Sequence, residues 1–200
     1  MRKIQLVLVA LIVLILSAFK ADHVITIYMI GDSTMSNKPL EGNNQERGWG
    51  HVLGSFFTED VRVENHAMNG RSSKSFIDEG RWETVVNKIR PGDYVFIQFG
   101  HNDEKPQPER HTDPGTTFDE NLRKFVRETR AKGGIPVLFN SIVRRNFGVN
   151  PDAVAADDIR PEKDEAVVEG DTLIDTHGKY LESPRNVAKE MDVCFIDLNQ

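Results

Sequence analysis

The stretch 24-VITIYMIGDSTMSN-37 runs a mostly apolar segment straight into Gly31-Asp32-Ser33-Thr34. The segment does not alternate apolar with polar, which is the pattern of a strand buried on both faces of a parallel sheet. Gly, Asp, Ser and Asn are turn formers, so an ordinary strand-to-helix turn accounts for its end. A serine nucleophile displayed at a strand end accounts for it equally. That second reading requires oxyanion donors, a base and an orienting acid elsewhere in the chain.

Working outward, four more short apolar runs read as strands, at 61–66, 93–99, 135–141 and 193–198. Amphipathic stretches lie between them. Trp49, Val52, Leu53, Phe56 and Phe57 follow helical spacing. So do Phe118, Leu122, Phe125 and Val126, which run on to Gly133-Gly134, a helix stop. Strand and helix in alternation predict one α/β domain built on a parallel sheet. Residues 146–172 interrupt the pattern with a surplus of acids, and read as a solvated insertion or a lid on the substrate side.

The start of the chain reads differently. Met1-Arg2-Lys3 is basic, Leu6 to Leu16 is continuously apolar, and Ser17-Ala18-Phe19-Lys20-Ala21 follows. This is the layout of a secretory leader over 1–21, cleaved near Ala21, with the folded domain over 22–200. The apolar run falls short of the ~20 residues that span a bilayer, so no stable membrane association is expected after cleavage. The expected location is secreted or periplasmic. Net charge is −6, and becomes −9 once Arg2, Lys3 and Lys20 leave with the leader. Such an acidic protein is a poor partner for nucleic acid. Cys194 is the single cysteine, which excludes an internal disulfide, and its run "VCFIDL" predicts a buried thiol.

In an open α/β sheet, ligands bind beyond the carboxyl ends of the strands. After the first strand comes Gly31-Asp32-Ser33-Thr34, and after the second "NHAMNGRSSKSF". After the third comes Gly100-His101-Asn102-Asp103, and after the fourth Ser141, Arg144 and Arg145. Acyl transfer needs preorganised N–H donors where negative charge develops. Ser33 and Gly70 can offer backbone N–H groups, and Asn102 can donate two N–H bonds without adding charge. Turn formation alone would explain Gly70; Asn102 between His101 and Asp103 is harder to explain that way. No His/Asp/Cys cluster stands at metal-ligand spacing, so neither a metal nor an organic cofactor is expected.

GDST, "NHAMNGRSSKSF" and "FGHND", in that order and each after a strand, resemble the SGNH (GDSL-type) hydrolases, and within them the rhamnogalacturonan acetylesterase branch. The similarity runs from about residue 24 to residue 200 and takes in "LIDTHGKY" and "FIDLN". It implies a flavodoxin-like three-layer α/β/α sandwich on a five-stranded parallel sheet. It also implies Ser33 as nucleophile, with Gly70 and Asn102 completing the oxyanion hole. The family takes its base and acid from an Asp-x-x-His block beyond the fifth strand, and this chain stops at Gln200. The resulting expectation is a C-terminally incomplete domain, lacking its last helix and base, and close to inactive as it stands. His23, His51, His66, His101 and His111 each have a structural explanation. His177 in Asp175-Thr176-His177 has the wrong spacing and opens a helix.

The resemblance implies a secreted esterase that removes O-acetyl groups from acetylated pectic polysaccharide through an acyl-serine. Since that polymer is acidic like the protein, local cations must hold it. Arg71 and Arg144 are the expected substrate-binding residues, with Lys74, Arg81 and Arg145 as further candidates. Trp49, Trp82 and Phe147 could stack on sugar faces. The competing readings are a general GDSL-type esterase or lipase and a non-catalytic sugar-binding relative.

Overall fold

The computed structural model describes residues 24–42, 44–144 and 177–199, together with the backbone of 147–148 and 172–173. The leader reading of 1–21, and most of the acidic stretch, lie outside the described residues. Five strands form one all-parallel sheet: β1 (Ile25–Gly31), β2 (Val61–Asn65), β3 (Tyr94–Gln98), β4 (Ile135–Phe139) and β7 (Cys194–Ile196). Their order is β2-β1-β3-β4-β7, so the chain reverses its direction of travel across the sheet after β2. Polar loops from both sides of that reversal meet beyond the carboxyl edge, where open α/β sheets bind ligands. Two residue pairs, β5 (Phe147–Gly148) and β6 (Thr172–Leu173), form a separate antiparallel ladder.

Four described α-helices, α1 (Ser73–Asp78), α2 (Arg81–Val86), α3 (Thr117–Ala131) and α4 (Lys179–Met191), join one core with the sheet. Phe118, Leu122, Phe125 and Val126 of α3 are buried there, as their spacing predicts. Phe99 packs against both Phe76 and Phe125, with ring centroids 5.4 and 5.5 Å apart. Trp82 is buried edge-on to Phe125 and so is no sugar platform.

The opposite face is built differently. The helix expected over 49–57 is instead two 3-10 turns, Trp49–His51 and Leu53–Phe56. Two glycines in nine residues weaken a helix, and Gly50 is needed for a close approach. A Cβ on it would lie 2.6 Å from the Met35 carbonyl oxygen. Trp49 and Leu53 pack on the cluster of Ile27, Met29, Met35 and Ala67, while Val52, Phe56 and Phe57 are left exposed. Cys194 is exposed, contrary to the buried thiol its apolar run suggests. It lies on the edge strand, paired with Val137, so only the alternate residue Phe195 reaches the helical core.

Candidate active site

The Ser33 turn is held from within and from across the sheet. Asp32 is fully buried, and its Oδ1 accepts the Thr34 N–H at 2.8 Å and the Thr34 hydroxyl at 2.7 Å. This side-chain-to-backbone closure is the reason Asp suits the turn. The Thr34 hydroxyl accepts from the Gln98 amide at 2.8 Å, and Gln98 Oε1 accepts the Trp49 indole N–H at 2.6 Å. A relay from the 3-10 turn through the end of β3 therefore fixes the serine turn. Burial pushes the Asp32 carboxyl up, and the two Thr34 donors pull the other way.

The second loop leads into α1. Gly70 has φ +75, and a Cβ there would meet nothing within 4 Å, so its backbone conformation and not space calls for glycine. Ser72 is the N-cap of α1 and forms a reciprocal capping box with Ser75. Ser73 donates both its N–H and its hydroxyl to Asp103. Asp103 also accepts from the Thr112 hydroxyl at 2.9 Å and from the Gly100 N–H at 3.1 Å. One buried carboxylate thus staples the Asn102 loop to the helix that follows Gly70. Burial raises Asp103 to about 7 despite the donors from Ser73 and Thr112.

Asn102 is buried between these anchors. Its amide donates to the Arg71 carbonyl oxygen at 3.2 Å, while Arg110 reaches its Oδ1 at 3.4 Å. Arg71 therefore serves the site through its main chain. Its guanidinium pairs with Glu79 at 3.1 Å and is not among the side chains that line the cavity. Lys74 and Arg81 are likewise paired, with Asp78 and Glu79. Arg144 does line the cavity, donating to the His101 carbonyl oxygen at 3.2 Å and to Glu104.

The cavity measures about 720 Å³ and brings Ser33, Gly70, Asn102 and Arg144 together. Sequence reasoning missed Lys38, Arg47, Lys105 and Arg110, which line the same cavity. The signal available for Lys38 was its place four residues after Gly31-Asp32-Ser33-Thr34. The histidines fall as follows. His177 is buried, with Nδ1 3.0 Å from Glu104 Oε2 and Nε2 3.2 Å from the Ile142 carbonyl oxygen. His101 lines the cavity, with Nδ1 3.9 Å from Asp32 Oδ2 and its ring edge-on to His177 at 4.3 Å. His51 accepts the Lys38 N–H, His66 sits against Glu64, and His111 meets the Lys105 carbonyl oxygen. No group of three or more His, Cys, Asp or Glu that could hold a metal ion occurs among the described residues.

A parallel α/β sheet with a serine turn and two donor loops at its carboxyl edge defines the class. Residues 29–200 match the GDSL-like Lipase/Acylhydrolase family, and the chain belongs to that family. It is 38% identical over 174 residues to rhamnogalacturonan acetylesterase RhgT of Bacillus subtilis (strain 168), covering 87% of this chain and 65% of that one. It is 40% identical over 128 residues to a protein of the same organism named Probable rhamnogalacturonan acetylesterase YesY, covering 64% of this chain and 57% of that one. The chain thus spans less than two thirds of the length of either relative. Among solved structures, protein YxiM from Bacillus subtilis superposes with a TM-score of 0.65 at 27% identity, over 88% of this chain and 44% of that one.

Proposed function

We propose that the protein is a serine ester hydrolase that releases acetate from an acetylated pectic polysaccharide. The observation that carries this reading is the cavity itself, where three successive strand ends contribute Ser33, Gly70 and Asn102 in a GDSL-family chain similar to RhgT. In this reading the Ser33 hydroxyl attacks the acetyl carbonyl carbon and passes its proton to a base. Charge gathers on the carbonyl oxygen, where the N–H groups of Ser33 and Gly70 and the Asn102 amide receive it. Collapse of the intermediate expels the sugar hydroxyl, and water then releases acetate from the acyl-serine. Both ring nitrogens of His177 are engaged within the fold, so it is not assigned as the base.

The wall chemistry favours a sugar polymer over a long acyl chain. Among the described residues, five cations and one acid, Glu46, line the cavity, against Ile142 as its one aliphatic side chain. A basic cavity on an acidic protein suits a substrate carrying carboxylates, which the rest of the surface would repel. Arg144 is assigned to substrate, and Arg71 to fixing Asn102. The leader reading of 1–21 places the work outside the cytoplasm. The test is acetate release from acetylated rhamnogalacturonan, run beside longer acyl esters. Preference for the longer esters would replace this reading with a general esterase. Binding of the polymer without any acetate release would leave a sugar-binding protein.

A further inference from the structure

Lys38 is the most deeply buried cation in the cavity wall: its side chain is 6% exposed. An ammonium group carries three N–H donors, and burying one without acceptors costs far more than leaving it in water. Among the described residues Nζ makes one hydrogen bond, to Asn69 Oδ1 at 2.7 Å. The nearest carboxylate, Glu46 Oε2, stands at 3.8 Å, beyond hydrogen-bond reach, on a side chain that is 60% exposed. A buried cation therefore faces the cavity with donor capacity that the protein does not fill.

The surroundings orient it. The Lys38 N–H donates to His51 Nδ1 at 3.2 Å, fixing the chain just before Pro39. The Ser36 hydroxyl donates to the same Asn69 Oδ1 at 2.6 Å. A lysine can only donate, so the Asn69 oxygen must face it, and the amide nitrogen of the exposed Asn69 is left as a second donor without a protein acceptor among the described residues. Asn69 also lines the cavity. The group that fits is an anion with at least two acceptor atoms.

We infer that Lys38, with the Asn69 amide beside it, is a carboxylate-reading subsite for a sugar acid of the polymer that carries the ester. This rests on the ester-hydrolase reading only for the identity of the polymer. Glu46 occupies the mouth of the subsite as an internal competitor, drawn off when the substrate carboxylate arrives.

Calorimetric titration of the chain with an oligogalacturonide, and with the same oligosaccharide after carboxyl reduction, tests the subsite without any turnover. The oligogalacturonide is expected to bind more tightly than its reduced form. Lys38→Gln should cut that preference about ten- to hundred-fold, the range for a hydrogen bond to a charged group, and Lys38→Arg should restore part of it. Glu46→Gln, at an exposed position, should tighten oligogalacturonide binding, and keeps the idea open to refutation should Lys38→Gln fail to fold. Equal binding of the two oligosaccharides to the unsubstituted chain, or an unchanged preference in folded Lys38→Gln, overturns the subsite. Lys38-dependent binding without acetate release from any ester would overturn the hydrolase reading and leave the subsite standing.

Discussion

The two walls of the cavity are held in different ways. On the wall proposed to hold the oxyanion, each loop is pinned by a buried carboxylate: Asp32 closes the Ser33 turn and Asp103 ties Asn102 to Ser73. On the cationic wall, most side chains are half-buried or exposed, and Arg47 leans on the backbone carbonyls of Asn44 and Glu46. The first wall is held by hydrogen bonds to carboxylates that are themselves out of water. The second is set mainly by charge, which solvent and salt screen. Substitutions on the first should therefore change the chemical step, and substitutions on the second should change how substrate is held.

The largest expected effect is at Ser33. In a form that turns over acetyl esters, Ser33→Ala should lower the rate by roughly 10⁶, as for a serine hydrolase that loses its nucleophile. A serine-directed phosphonate should label Ser33 in the unsubstituted protein, and label at another serine would move the nucleophile off this wall. Next comes Asn102→Ala, which should lower kcat by roughly 10²–10³ with KM little changed, since the charge it meets exists mainly in the transition state. A change confined to KM would place Asn102 with the substrate-holding groups and erase the contrast between the walls.

The buried carboxylates give the oxyanion wall a pH signature. Burial raises Asp103 from 3.8 to about 7 and raises Asp32 as well. A group raised on folding binds its proton more tightly in the native state, so its contribution is fully present below the unfolded value. That contribution is lost as pH rises through the folded one. Urea unfolding should accordingly show stability falling between about pH 4 and about pH 7 in the unsubstituted protein. Asp103→Asn should flatten that slope even though it lowers stability overall, because four donor contacts lose their carboxylate. A slope left intact in Asp103→Asn would shift the effect to other groups.

The smallest effect should come from the mouth of the cationic wall. Arg47→Gln should raise KM by roughly five-fold at most, as for a single exposed charge. The difference should fade in high salt. A fall in kcat of the size expected for Asn102→Ala would show that the two walls are not separable.

Much of this was legible in the chain. The five strands, the helix ending before Gly133-Gly134 and the grouping of Ser33, Gly70 and Asn102 all follow from short-range patterns. Apolar runs, caps and turn residues act within a few positions, and the order of strand ends then follows from the α/β class. The region 49–57 was misread because helical spacing of Trp49, Leu53 and Phe56 ignores Gly50, whose space is taken by Met35 from another loop. Cys194 was misread because an apolar run does not say that its strand lies at the sheet edge.

Sequence by itself determined the sheet and the candidate chemistry at its carboxyl edge, because those rest on residue type and local spacing. Only the tertiary structure decided which charged groups face the cavity. Arg71, beside Gly70, turns to Glu79, whereas Lys38, with no motif of its own, is buried against Asn69. A long cationic side chain follows whichever carboxylate, carbonyl or cavity the fold brings within its reach, and that partner lies 8 residues from Arg71 and 31 from Lys38.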